Sequence, residues 1–312
     1  MKKLSLVKAE SLIFLKSLGL APEPLLIFDR LPLKDNLFTE LKKAGFYEGQ
    51  EITVRFAFPQ IMEMPRSVIL KSFNEVDAFI KKYFRKSSLI IIHPFVRALY
   101  VGTLYFAGQK IFINIIKSGI WEPSVAKNCD IFIFEKDKVV IYRYKKPRIT
   151  YWPQGRRLEK KIINPLDKKE IENLSKIFFQ NKDILFSIKK FPKMILEFII
   201  TPAQKLIGME LEYPKGKNLF IPPQSPSENL KIIKRYKDIE KWDRQKDLLL
   251  SITVFRRDRD KFLDLVKKIK PFKKEVFVEY GLLSHPAILL REQGINTKPY
   301  MADYEIIKHQ IN

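Results

Sequence analysis

Cysteine is nearly absent from this chain: Cys129 stands alone among 312 residues. A single thiol closes no intramolecular disulfide and builds no Cys-based zinc site, which suits a reducing cytoplasm. Long uncharged apolar runs are missing too. No stretch approaches the roughly 20 residues that a membrane-spanning helix needs, so no membrane partner is expected. The opening MKKLSLVKAESLIFLKSLGL has basic residues followed by apolar ones, but Lys8, Glu10 and Lys16 interrupt the run and no small-residue cleavage site follows. It reads as an amphipathic helix rather than a signal peptide, and a cytoplasmic location is the expectation. Acidic residues are outnumbered, 35 against 58 basic ones, for a net charge of +23. That excess admits nucleic acid, an anionic substrate such as a nucleotide, or a membrane surface as partner. The lysines are spread along the whole chain, however, with no basic tail, no nucleic-acid signature and no internal repeat. Charge therefore leaves nucleic acid open without selecting it.

What is present is enough apolar residue, 46%, to bury a core, and a length that predicts two domains. Amphipathic spacing predicts helices over 5–18, 35–45 and 74–84, the last capped by Asn74. Alternation and β-forming residues predict strands over 51–58, 88–96, 99–108 and 110–119, and a hairpin over 130–144. After a charged loop, Asp167 and Glu170 read as a capping box for a helix over 167–183. Strands over 193–200 and 204–213 follow. Residues 214–229 have the proline, glycine and serine content of a linker. Beyond it come a strand (246–254), a helix (258–270) and a strand (275–280).

The stretch Glu279–Ile295 carries the most specific chemistry. Its strand stops at Gly281, Ser284 and His285 fall at a helix cap, Pro286 suits the first turn and Gly294 suits the stop. A residue before proline is pushed away from helical dihedrals, which predicts His285 at the mouth of the helix. There the unpaired N–H groups and the helix dipole favour an anion.

Gly281, Ser284, His285, Ala287, Ile288, Arg291, Glu292, Gly294 and Ile295 stand in register with Gly-Gly-x-x-Ser/Thr-His-Ala-Ala-Ile-x-x-Arg-Glu-x-Gly-Ile. With it the chain resembles the phosphoenolpyruvate synthase and pyruvate phosphate dikinase family, which includes the rifampin phosphotransferases. The resemblance runs through most of the chain in order. It implies an α+β protein: an ATP-grasp nucleotide-binding domain over 1–214, a linker over 215–240, and a small swivelling phosphohistidine-type β/α domain, the PEP-utilising mobile domain, over 241–312.

The same resemblance implies the site. LVKAESLIFLKSLGLAPEPLLIF puts Lys8 at the nucleotide-contacting lysine, and ITVRFAF puts Arg55 at the phosphate-contacting arginine. IIIHPFVRALYVGTLYF puts His93 in place of the hinge glutamine that lines the adenine. Gly119-Ile-Trp-Glu122 stands where Gly-Leu-Gly-Glu is expected, which makes Glu122 a nucleotide contact. MILEFIITPAQKLIGMELEY puts Glu197 and Glu210 at two metal-binding positions on adjacent strands, a set that suits magnesium. ATP and Mg are thus the implied cofactors. His285, neutral at an ordinary pKa of about 6.5, would attack ATP; Arg291 would hold the phosphorylated product; and the acceptor would be a small molecule or a protein. Residues 59–70 contain no glycine where the family has its phosphate lid, and no third domain holds an acceptor. The alternative is a non-catalytic member that binds nucleotide, or a basic scaffold acting on an acidic partner such as nucleic acid.

Overall fold

The computed structural model describes residues 4–57, 69–85, 88–119, 129–135, 138–154, 157–188, 195–212, 230–251, 254, 261–272, 275–279, 285–300 and 304–310. The side chains of Lys8, His285 and some others within these ranges fall outside the description. The chain begins with α1 (Leu4–Ser17), β1 (Leu26–Phe28), α2 (Lys34–Lys43), β2 (Ile52–Ala57), β3 (Ile69–Leu70), α3 (Phe73–Tyr83) and β4 (Leu89–Pro94). It continues with β5 (Tyr100–Ala107), β6 (Lys110–Lys117), β7 (Asp130–Glu135), β8 (Lys138–Tyr144), β9 (Arg148–Gln154) and β10 (Arg157–Ile163). Next are α4 (Lys168–Gln180), α5 (Lys182–Ile188), β11 (Ile195–Ile200) and β12 (Leu206–Glu212). The last part holds β13 (Leu230–Ile233), a 3-10 turn (Tyr236–Lys241), β14 (Asp247–Leu250), α6 (Phe262–Ile269), a second 3-10 turn (Lys270–Phe272), β15 (Val276–Val278), α7 (His285–Glu292), β16 (Thr297–Pro299) and β17 (Tyr304–Gln310). No helix among the described residues is long and apolar enough to cross a membrane.

Two compact units emerge. The first gathers residues 1–99, 153–158 and 196–212; the second holds 100–152, 159–195 and 213–312. In the first, an antiparallel sheet has the order β1-β4-β2-β3. Side chains alternate across a strand, so Ile52, Val54 and Phe56 share a face with their neighbours Ile90 and Ile92. That face is apolar and packs on Leu37 and Leu41 of α2 and on Phe73, Val76 and Ile80 of α3. α3 is capped by Ser72, whose hydroxyl accepts from the Glu75 N–H at 3.1 Å, two residues before the expected Asn74. β11 and β12 are neighbouring strands joined by a tight turn, with the Gln204 N–H donating to Thr201 O at 2.8 Å. Across β12 lies α1, and the Gly208 N–H donates to Leu20 O at 2.8 Å.

In the second unit β5, β6, β7, β8 and β17 form a continuous antiparallel ladder. Phe178 of α4 meets Phe132 and Phe134 of this sheet at ring distances of 6.0 and 5.9 Å. The capping box of α4 forms as the sequence predicts, with Glu170 N–H donating to Asp167 at 2.8 Å and Asp167 N–H to Glu170 at 3.0 Å. The other Glu170 oxygen accepts from Lys117 at 2.5 Å and from the Tyr100 hydroxyl at 3.0 Å, which ties the helix start to β5 and β6. β13, β14, β15 and β16 form a separate, fully parallel sheet. Its core joins Leu248, Leu250, Val276 and Val278 to Leu265 and Ile269 of α6 and to Ala287 and Leu290 of α7.

Several stretches differ from the sequence reading, which anticipated neither α5 nor β16. The charged loop after residue 144 contains the hairpin β9–β10, β13 begins inside the expected linker, and β17 was not anticipated; residues 213–229 lie outside the described residues.

Candidate functional site

The second face of the β1-β4-β2-β3 sheet is where chemistry collects. Thr53 pairs with His93, and Arg55 with Ile91, so alternation puts Thr53, Arg55 and His93 on the side away from α2 and α3. The Arg55 side chain, 11% exposed, reaches Glu210 of β12, 4% exposed: Nη2 donates to Oε2 at 2.7 Å, and Nη1 donates to the Met209 carbonyl at 3.2 Å. Two charges so little hydrated persist because each satisfies the other; removing one leaves the second stranded at a cost of about 3–5 kcal/mol.

His93 is buried. Its Nδ1 lies 2.8 Å from the Pro94 carbonyl, which assigns the ring proton to Nδ1 as donor. Nε2 is then a bare acceptor, and it has no hydrogen-bond partner among the described residues. Burial, and behind it the positive charge of Arg55, lowers the His93 pKa from 6.5 to about 4. At neutral pH the ring is uncharged, donating through Nδ1 and able to accept at Nε2.

Glu197 stands elsewhere. A methyl group placed on Gly208 would lie 3.2 Å from Leu196 and 3.0 Å from Leu15, so Gly208 and Leu196 share the face of the β11–β12 pair that meets α1. By alternation Glu210 shares that face and Glu197 points to the opposite one. Both carboxylates are buried, but they do not converge as the two-carboxylate magnesium site implied by the resemblance, and Glu210 is already engaged by Arg55. Among the described residues no group of three or more potential metal-ligating side chains occurs. As a pair, then, these residues do not fit a resident magnesium.

The other expected positions divide similarly. Lys8 lies in α1, with its side chain outside the described residues, and Glu122 lies outside them altogether. His285 is the first residue of α7, close to the expected helix mouth; its side chain is not among those described. The stop at Gly294 takes the form of a Schellman motif. Ile295 N–H donates to Leu290 O at 3.1 Å and Gly294 N–H to Arg291 O at 2.8 Å, with Gly294 at φ 77°, the left-handed region where glycine meets no Cβ penalty.

Arg291 is buried in the second unit with Tyr105 among its electrostatic neighbours. Burial lowers its pKa from 12.5 to about 10, and the phenol of Tyr105, itself raised by burial, opposes the change. It stands six positions along the helix from His285, about 9 Å along the axis and about 120° around it, so the two do not share a helix face.

The structure thus brings together Arg55, His93 and Glu210, residues drawn from three distant parts of the sequence. The sequence reading missed that Arg55 and Glu210 face each other. Alternation in ITVRFAF and LIGMELE sets the face of each side chain, Arg55 as the one charge of the first and Glu210 and Glu212 together on one face of the second, but names no partner opposite them.

No protein-family model matches the chain, and no curated protein matches it. Among solved structures the chain is similar to D-alanyl-alanine synthetase A from Vibrio cholerae, with 13% identity over 67% of this chain and 55% of that one and a TM-score of 0.39. It is also similar to VanG D-Ala:D-Ser ligase from Enterococcus faecalis, with 12% identity, coverage of 67% and 52% and a TM-score of 0.39. For the D-alanine-D-alanine ligase from Coxiella burnetii the values are 11%, 66% and 46%, and 0.38. The chain spans about half the length of each. Likeness at this level assigns neither a family nor an activity.

Proposed function

We propose that the first unit binds ATP and that the chain is an ATP-dependent phosphotransferase, with His285 as the phosphoryl carrier. The observation that carries this reading is the meeting of Arg55 and His93, on one sheet face, with Glu210 of β12, at the positions where the resemblance puts a phosphate contact, a base contact and a metal-binding side chain. In the free chain Arg55 is neutralised by Glu210. A triphosphate offers the guanidinium more negative oxygens in a geometry that it matches bidentately, so nucleotide competes with Glu210 for Arg55. The neutral His93 ring presents an acceptor to a donor such as an exocyclic amine. Any magnesium arrives as the complex with the nucleotide, and no step here is routed through a resident ion.

In the transfer step a nitrogen of His285 bonds to the β phosphorus while the bond from that phosphorus to the α–β bridging oxygen breaks. AMP leaves with the electron pair, and the ring proton passes to solvent. The histidine then carries the β and γ phosphates together; water attacks the γ phosphorus, the bond from it to the β–γ bridging oxygen breaks, and inorganic phosphate leaves. The β phosphoryl group that remains on His285 moves to a small-molecule or protein acceptor.

Incubation with ATP labelled in the β phosphate and magnesium should put acid-labile label on the chain, with AMP released and no label on His285→Ala. Absence of label with both magnesium and manganese overturns the carrier role. The paired variant Arg55→Met/Glu210→Met removes both buried charges together and should keep the fold. It should weaken ATP binding about tenfold or more by calorimetry, which corresponds to losing one charge-assisted contact. A second reading is nucleotide binding without transfer, favoured by Glu197 on the far face of its strand pair and by the glycine-free stretch 59–70. Intact, Arg55-dependent ATP binding with no label selects it.

A further inference from the structure

A surface in the second unit, separate in its residues from those assigned to ATP, combines aromatic rings with cations. The 3-10 turn after β13 sets Tyr236 beside α6. Lys268 Nζ stands 4.8 Å and Lys261 Nζ 5.7 Å from the centroid of the Tyr236 ring. Seven residues apart, these lysines are separated by two turns, about 10 Å along the axis, and converge on one ring. Neither forms an ion pair among the described residues; the nearby Asp264 lies 3.5 Å from Lys267 instead. Asp238, in the same turn as Tyr236, is occupied by the N–H groups of Lys234 and Arg235 at 2.9 and 2.8 Å.

A second ring-and-cation pair follows directly after α6. The guanidinium carbon of Arg244 lies 4.8 Å from the Phe272 centroid. Trp242, buried and donating to the Lys246 carbonyl at 2.9 Å, backs Phe272 edge-on at 5.3 Å and fixes that ring. Over 230–250 and 261–272, basic residues outnumber acidic ones eleven to five.

We propose that this surface binds single-stranded nucleic acid. An acidic peptide would satisfy the lysines but has no use for two rings fixed beside them. A single strand uses both: its bases stack on Tyr236 and Phe272, and Lys261, Lys268 and Arg244 turn from the rings to the flanking phosphates. Aromatic stacking with backbone cations is tolerant of sequence and weakens with salt through counterion release. The proposal stands independently of ATP binding in the first unit.

Fluorescence anisotropy of the full chain with labelled twelve-nucleotide oligo-U and oligo-dT tests it. Binding is expected for at least one of the two at 50 mM salt, and it should weaken by about tenfold or more at 200 mM. Lys261→Gln/Lys268→Gln should lower affinity about tenfold. Lys168→Gln/Lys169→Gln on α4 removes the same charge elsewhere and should change affinity less than about twofold. Tyr236→Leu, checked for an unchanged melting midpoint, should weaken oligonucleotide binding about fivefold or more while leaving binding of poly-glutamate unchanged. If Tyr236→Leu melts early, Phe272→Leu replaces it with the same expectation. No binding of either oligonucleotide overturns the proposal, as does equal loss in the two lysine double variants, which would report net charge alone. Competition by poly-glutamate equal to that of oligo-U at matched charge also overturns it.

Discussion

His93 is held neutral by its surroundings, and this has a measurable consequence in acid. The unfolded chain takes up a proton on this ring near pH 6.5, whereas the folded chain resists until about pH 4. Between those values the unfolded state binds more protons, so folding stability is complete above about pH 6.5 and declines as the pH falls towards 4. The decline attributable to this residue should be about 3 kcal/mol. Urea unfolding from pH 7.5 to 4.5 should show it, and His93→Phe should flatten that part of the profile. An unchanged slope in the variant would place the acid sensitivity on other groups. At this scale the resemblance singled out Arg55, His93 and Glu210, and local strand patterns made legible only the strands that carry them. They could not show that Arg55 and Glu210 neutralise each other, since a strand pattern gives the face of a residue and not the partner opposite it.

Gly208 has little room for a side chain. A methyl group there would stand 3.0 Å and 3.1 Å from the two Leu15 methyls and 3.2 Å from Leu196, closer than packed carbons normally approach. Gly208→Ala should cost about 1–3 kcal/mol by overpacking between α1 and β12. Leu15→Val in the same chain should recover part of that loss in urea titrations, because it withdraws carbon from the contact. If Gly208→Ala alone is neutral, the helix and strand have more room than these distances allow.

Elements whose signals are local were legible: the Asp167–Glu170 capping box, the Gly294 stop and most of the strands are carried by neighbouring residues. Elements defined by a distant partner were not. The run from Arg148 to Ile163 is rich in charge, and its strands β9 and β10 chiefly satisfy each other. β13 is four residues long and depends on β14 for its hydrogen bonds. Ser72 competed with Asn74 for one cap, and both are acceptable cap residues.

At the scale of the whole chain, β17 makes one of the longest-range pairings. Its seven residues pair with all of β8 from Tyr304↔Tyr144 to Gln310↔Lys138. Tyr304 packs edge-on against Tyr144 at 5.6 Å, above the fully buried pair of Asp130 and Arg148 at 2.5 Å, and Arg143 pairs with Glu305. Burial pushes the neighbouring Cys129 thiol up to about 12, so it stays protonated and inert at neutral pH. Removing residues 304–312 should expose the edge of β8. Amide hydrogen exchange over Lys138–Tyr144 should then rise from protected rates towards solvent rates, with β6 changed far less; continued protection of β8 would mean that its stability comes from β7 alone.

That pairing also sets a schedule for synthesis. The partner of Tyr144 is made roughly 160 residues later, at Tyr304, which at about 5–20 residues per second is on the order of ten seconds to half a minute. Throughout that interval the nascent sheet has a strand edge with Tyr144 and no neighbour to cover it, the state in which chains recruit the wrong strand. Slower translation across residues 145–303 should therefore lengthen the exposure of that edge and lower the yield of this protein.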